Sequence, residues 1–229
     1  MSSNPPDIIR NFERVPARVV AQAAQFQPAI LADVAGRRGA MHGRIKALRP
    51  RMKLAGPAFT VEVRPGDNLM IHAAIAMARP GDVLVIDGKG DQGSALMGTI
   101  MMTACQKLGI AGVVMDGACR DSLEIDEMDF PVFCVGTNPN GPTKNIAGRI
   151  GHSVSVGDVT VRAGDFVIAD GDGVVVVERE RIEALLPAAA RKVSDEAARI
   201  AAIKEGDTAA KWLNSALRTA GVLKEGEAL

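Results

Sequence analysis

The residues best suited to chemistry stand in Asp116-Gly117-Ala118-Cys119-Arg120-Asp121, which follows the apolar run Ala111–Met115. In layered α/β folds ligands gather beyond the carboxyl ends of strands, so a charged pair placed there marks a candidate site. The Arg120 guanidinium could hold a carboxylate or the charge of a developing enolate. The Asp121 carboxylate offers a hard oxygen ligand for Mg2+ or Mn2+. Asp121-Ser122-Leu123-Glu124 also fits a capping box, in which the aspartate only starts the next helix. Spacing alone favours the cap.

A second candidate is Gly90–Met101 (GDQGSALMGTIM), read as a glycine-bearing loop that enters a helix after the strand ending at Asp87. Backbone N–H groups at such a helix start can hold an anion. The segment matches neither the phosphate-loop nor the dinucleotide glycine pattern, so a nucleotide is unsupported, and taken alone the pattern favours an ordinary strand–helix turn. His42, His72 and His152 each lack a second ligand three or four residues away, and His72 reads as a packing or interface residue. Cys119 adjoins Arg120 but has no evident base, and Asp170-Gly171-Asp172 reads as a turn.

The elements that must position these residues alternate along the chain. Phe12–Gly39 reads as helix, broken at Pro28 and ended at Gly36. Gly56–Arg64 alternates as a strand, and Asp67 is placed to cap a helix running to about Ala78. Asp82–Asp87 is a buried strand, Ser94–Leu108 a helix, Ala111–Met115 a strand with a turn at Asp116-Gly117, and Pro131–Val135 the next strand. Ser153–Asp172 reads as short strands with turns at Gly157-Asp158 and Gly164-Asp165, and Gly173–Glu178 as a last core strand. From Arg179 a long amphipathic helix reaches about Lys204; a break at Gly206-Asp207 precedes a final helix through Trp212. A parallel α/β half joined to an antiparallel β half predicts a layered α/β fold rather than a plain doubly wound sheet. The whole of residues 1–229 is expected to form one domain, with N-terminal helices over 12–39, a core over 54–178 and C-terminal helices over 179–220.

Composition narrows the functional class. Lys and Arg together number 27 and balance 27 Asp and Glu, so no polyanion-binding surface is announced and nucleic acid is not expected as a partner. Three cysteines without ligand spacing argue for reduced thiols and against a zinc site. No apolar run reaches the ~18 residues of a spanning helix, and Met1–Arg10 lacks the apolar centre of a signal peptide. A soluble, cytoplasmic protein without a membrane partner is expected. Aromatics make up only 3% of the chain, and a core built of small side chains hints at a neighbouring subunit.

Three blocks carry a wider likeness: GPAFTVEVRPGDNLMIHAAIAMARPGDVLVID, GIAGVVMDGACRDSLEI and GDFVIADGDGVVVV. In this order they closely resemble the 4-hydroxy-4-methyl-2-oxoglutarate/4-carboxy-4-hydroxy-2-oxoadipate aldolases, a family that also contains the regulator of ribonuclease E activity. The likeness runs from about Asp33 to Glu196. It implies a three-layer β/β/α swivelling-domain-like sandwich with flanking helices, assembled as a homotrimer or homohexamer with sites between subunits. Asp121 resembles the family's metal-binding aspartate, for Mg2+ or Mn2+. Arg120 resembles the arginine at the substrate's keto oxygen. Gly98, Ile100 and Met101 fall where backbone amides hold the substrate carboxylate. Asp33, where the family commonly has Glu, and Glu196 match acids that reach the metal's waters from an adjacent subunit.

One position departs from the resemblance: Thr99 stands where the aldolases carry an acid implicated in positioning the water that handles the alcohol proton. A hydroxyl does not ionise in the working range and is a far weaker base. The expected activity is metal-dependent pyruvate release from a small 2-oxo acid. It would proceed by retro-aldol cleavage of a 4-hydroxy-2-oxo diacid, by decarboxylation of oxaloacetate, or by both, with the departure expected to weaken or alter the aldol branch. The alternative is a non-catalytic interaction protein of the ribonuclease-regulator kind.

Overall fold

The computed structural model describes residues 7–229, so the first six residues of the Met1–Arg10 segment lie outside the described ones. Two compact units are present, one ending at Ala190 and one spanning Arg191–Leu229. The first unit opens with α1 (Ala17–Ala23), α2 (Pro28–Val34), β1 (Lys46–Ala47) and β2 (Leu54–Glu62). Next come α3 (Leu69–Met77), β3 (Val83–Met97), α4 (Thr99–Lys107), β4 (Gly112–Cys119), α5 (Ser122–Glu127) and β5 (Val132–Thr137). β6 (Arg149–Ile150), β7 (Val154–Val156), β8 (Val159–Val161), β9 (Phe166–Asp170) and β10 (Gly173–Val177) complete the strands. α6 (Ile182–Lys204) begins in the first unit; the second unit holds its remainder and α7 (Leu213–Thr219).

The main sheet runs β1-β5-β4-β3-β2-β9-β10, with β6 also paired to β2. β2, β3, β4 and β5 are parallel neighbours, while β1, β6, β9 and β10 pair antiparallel. β2 joins the two halves: Leu54–Pro57 pair with β9, and Ala58–Glu62 pair with β3. The hairpin β7–β8 stands apart from this sheet and packs against β3. Period-two alternation splits β9 and β10 between two cores. Val167, Ala169, Val174 and Val176 join the main core, whereas Phe166, Ile168, Val175 and Val177 face α1, α2 and the start of α6. Strands buried on both faces explain the unbroken apolar run Gly173–Val177. The layered α/β architecture expected from the sequence is therefore present, as a mixed sheet flanked by helices. Among the described residues, no helix is long and apolar enough to cross a membrane.

Two expected boundaries are corrected. β3 does not stop near Asp87 but continues to Met97, and its helix starts at Thr99, not Ser94. β4 passes through Asp116-Gly117, expected as a turn, and ends at Cys119. Both runs contain Gly and Asp, which read locally as turns; the parallel β3–β4 ladder overrides that preference through bulges between Ile86 and Met97. Asp116 is buried in this ladder, where its carboxylate accepts from Arg44 Nη2 at 2.9 Å, Arg44 Nε at 3.2 Å and Gly157 N at 2.9 Å. The break expected at Pro28 is present: α1 ends at Ala23, and Pro28 opens α2 as its first residue, where its missing N–H costs nothing.

Asp67 is the knot beside the site. Its Oδ1 accepts from Leu69 N at 3.0 Å, so it does serve the start of α3, although Asn68 is the residue in the cap position. Its Oδ2 accepts from Thr143 Oγ1 at 2.6 Å, Asn145 N at 2.7 Å and Ile146 N at 3.2 Å. Burial would push this carboxyl up, but hydrogen bonds led by Asn145 N and the Thr143 hydroxyl outweigh it and hold the group below its ordinary range. A depressed carboxyl stabilises the fold above the unfolded-state value and loses that contribution as pH falls through the folded one. Asp67→Ala is expected to cost about 3 kcal/mol at neutral pH, seen as a lower urea midpoint at unchanged slope. The gap from wild type should close as pH falls below about 4; a gap independent of pH would overturn this account.

Candidate active site

The register of β3 and β4 builds the site. Met97 pairs with Cys119, so the next residues on each strand, Gly98 and Arg120, leave the sheet side by side. Arg120 N donates to Met97 O at 3.0 Å, which fixes the exit. Space explains the glycine: a Cβ on Gly98 would lie 2.5 Å from Asp121 Oδ2 and 3.0 Å from Arg120 Cγ. Its φ of −148° suits any residue, so the constraint is close approach and not backbone freedom.

Asp121 adopts a left-handed conformation, φ 60° and ψ 43°, at a cost of roughly 1 kcal/mol. That turn aims its carboxylate away from α5, which receives no side-chain cap from it. Oδ2 accepts instead from Thr99 N, the first amide of α4, at 3.0 Å. The capping box over Asp121–Glu124 is thus replaced by a cap on a different helix. Arg120 Nε lies 3.7 Å from the same Oδ2, which leaves Oδ1 for a ligand.

A cavity of about 200 Å3 opens beyond the ends of β3 and β4. Arg120, Asp121, Gly98, Ile100 and Met101 all contribute to its wall, so five of the residues singled out in the sequence converge here. The first-turn amides are not equivalent. Thr99 N is taken by Asp121, and Met101 N donates to Gly98 O at 3.1 Å; Ile100 N has no intrahelical acceptor by position. Ile100 itself is 83% exposed at the mouth. Thr99 is not part of the wall, and its Oγ1 is buried without a hydrogen-bond partner. Asp33 lies exposed near the end of α2, and Glu196 lies on α6, where it pairs with Lys192 at 3.1 Å. The cavity wall is drawn from residues between Asn68 and Lys144.

Five wall residues were not read from the sequence as site residues: Asn68, His72, Gly141, Pro142 and Lys144, of which Asn68, His72 and Lys144 carry polar side chains. Asn68 and His72 are four apart across the start of α3 and so share a helix face, a spacing the sequence does display. Asn68 donates through Nδ2 to Leu96 O at 2.8 Å, while its Oδ1 has no partner. His72 had been read as a packing or interface residue; it is exposed in the cavity wall. Lys144 arrives only because Asp67 ties its neighbours Thr143 and Asn145 to α3, which no local pattern foretells. The loop before it is fastened to β3 by Asn138 Nδ2 to Gln92 O at 2.7 Å and Asn140 Nδ2 to Gly93 O at 3.1 Å. That loop brings Gly141 beside Arg120 Nη1.

The donor set suits a hard cation with few protein ligands. Among the described residues no group of three or more His, Cys, Asp or Glu converges. One carboxylate oxygen, completed by water and substrate oxygens, is the manner in which Mg2+ is usually held.

The family model of the RraA-like proteins (Aldolase/RraA) matches residues 19–176. A Halalkalibacterium halodurans protein named as an inferred 4-hydroxy-4-methyl-2-oxoglutarate aldolase is 36% identical over 205 residues, covering 90% of this chain and 92% of that protein. A similarly named Alkalilimnicola ehrlichii protein is 35% identical over 134 residues, 58% of this chain and 83% of its own. The crystal structure of Streptomyces coelicolor RraAS2, described as an unusual member of the RNase ES inhibitor RraA family, superposes with a TM-score of 0.76 at 26% identity, covering 82% of this chain and 99% of that one. The chain belongs to the RraA-like family.

Gly98→Ala should push Asp121 aside without unfolding the sheet. Mn2+ binding followed by electron paramagnetic resonance is expected to weaken about 10- to 100-fold, with little change in the thermal midpoint. Unchanged Mn2+ affinity would remove the steric argument.

Proposed function

We propose that this protein is a divalent-metal-dependent lyase that releases pyruvate from small 2-oxo acids. Its reactions would be retro-aldol cleavage of a 4-hydroxy-2-oxo diacid and decarboxylation of oxaloacetate. The observation that carries the reading is the convergence of Arg120, Asp121 and the first turn of α4 on one cavity. The names of the two aldolase-like relatives support it.

Both reactions break a bond at C3 and send its electrons to the 2-keto oxygen. Arg120, with its guanidinium in the wall, would stabilise the charge that develops there. The amide of Ile100 and the positive end of α4 would orient the adjacent carboxylate. Asp121 would hold Mg2+ or Mn2+ through Oδ1, and the bound ion would supply Lewis-acid polarisation of the keto group. Asp33 and Glu196 are proposed to reach this site from a neighbouring subunit of a trimer or hexamer. Cleavage of the C3–C4 bond of an aldol also requires removal of the C4 hydroxyl proton, whereas decarboxylation does not. Thr99 cannot take that proton, because its hydroxyl is buried, outside the wall and non-ionising. Aldol cleavage therefore requires another group of the cavity to take that proton.

A second reading, a non-catalytic interaction protein, is favoured by the Thr99 substitution and by the likeness to the Streptomyces protein. One set of assays separates the two. Pyruvate release from oxaloacetate with Mg2+ should disappear in EDTA and fall at least 100-fold in Asp121→Ala. No metal-dependent release from oxaloacetate or from 4-hydroxy-4-methyl-2-oxoglutarate would favour the interaction protein.

A further inference from the structure

We propose that His72 is the base that takes the C4 hydroxyl proton in aldol cleavage, a role that rests on the lyase reading above. The inference comes from the ionisable groups of one cavity. Its wall contains four: His72, Arg120, Asp121 and Lys144. Arginine stays protonated throughout the working range, and an exposed lysine is protonated at neutral pH. Asp121 is committed at Oδ2 to Thr99 N, and its other oxygen is assigned to the cation. Imidazole alone remains as a group that is neutral at pH 7 and still able to accept a proton.

The position suits the task. His72 projects from α3, on the wall that Lys144 shares, and is accessible from the cavity. Burial and the nearby Lys144 charge both keep its pKa below the ordinary histidine value, so the base form prevails at neutral pH. His72 and Arg120 line one cavity of about 200 Å3, so a substrate whose keto end lies at Arg120 would have its hydroxyl within reach of His72, directly or through one water. The step balances with no reagent beyond water. The hydroxyl proton passes to an imidazole nitrogen, and the C4 oxygen becomes a carbonyl. The C3–C4 electrons move to the keto oxygen as an enolate. Water then protonates the enolate at C3, as it does after decarboxylation, and the imidazolium gives its proton back to solvent, which completes pyruvate and regenerates neutral His72.

Because decarboxylation of oxaloacetate requires no hydroxyl deprotonation, the same protein carries its own control. His72→Gln is expected to lower kcat for 4-hydroxy-4-methyl-2-oxoglutarate cleavage 10²- to 10⁴-fold while decarboxylation changes less than about threefold. The wild-type aldol profile should lose activity as pH falls through the His72 pKa, a limb that Gln removes. Imidazole added to His72→Ala should restore part of the aldol rate and leave decarboxylation unchanged. Equal losses in both reactions, or an unaltered pH limb with no rescue, would overturn the role of His72. Wild-type protein that decarboxylates oxaloacetate but does not cleave the aldol would also overturn it and leave the lyase reading intact. Absence of both activities would remove that reading and His72 with it.

Discussion

Everything at this site follows from one pairing, Met97 on β3 against Cys119 on β4. Parallel strands in this register end together, so the residue after each, Gly98 and Arg120, emerges at the same point. Sheet hydrogen bonds over buried residues such as Val85, Ile86, Val114 and Met115 hold that register. A shift by one residue would turn each of these side chains to the opposite face. The position of the Arg120 backbone is therefore enforced by the core. Asp121, held left-handed immediately afterwards, converts this arrangement into a chemical one. Its carboxylate reaches back to the start of α4, which locks the helix that lines one wall to the strand that carries Arg120.

The far wall depends on electrostatics of a different kind. Asp67, Asp82 and Asp116 are buried, and each carboxylate joins segments remote in sequence. Asp82 receives Arg14 Nε and Nη2 at 2.7 and 2.9 Å, tying the N-terminal segment to the start of β3. Asp116 joins Arg44 and the β7–β8 turn to the middle of β4. Asp67 gathers residues 143–146 against the start of α3 and so brings Lys144 to the wall that holds His72. Buried carboxylates are costly unless their lone pairs are filled, so each such contact is strongly specified.

The elements that rest on period and punctuation were readable from the chain: β2, α3, β5, β9, β10 and the long α6 fall close to their expected places. What was not readable was tertiary in origin. Gly88 to Ser94 and Asp116-Gly117 look like turns because their residues prefer turns in isolation, and only the neighbouring strand keeps them extended. The site divided along the same line. Arg120, Asp121 and the first turn of α4 are close in type and spacing to a strand-end site, and the family likeness named them. Asn68 and His72 carried a faint signal in their four-residue spacing. Lys144 carried none, since its place depends on an acid nearly eighty positions earlier. The capping box misled because a D-x-x-E pattern cannot reveal that its aspartate is left-handed.

The two ends of the cavity are anchored separately. The end beside Arg120 is written into strand register and a glycine that tolerates no side chain, while the rest of the wall is carried by α3 and by a loop fastened at Asn138, Asn140 and Thr143. Substitutions between positions 138 and 144 can reshape what the cavity admits without disturbing the atoms around Arg120. In an evolving lineage such a division allows the range of ligands the cavity admits to drift while its Arg120 end is kept, so that one scaffold can serve several different occupants.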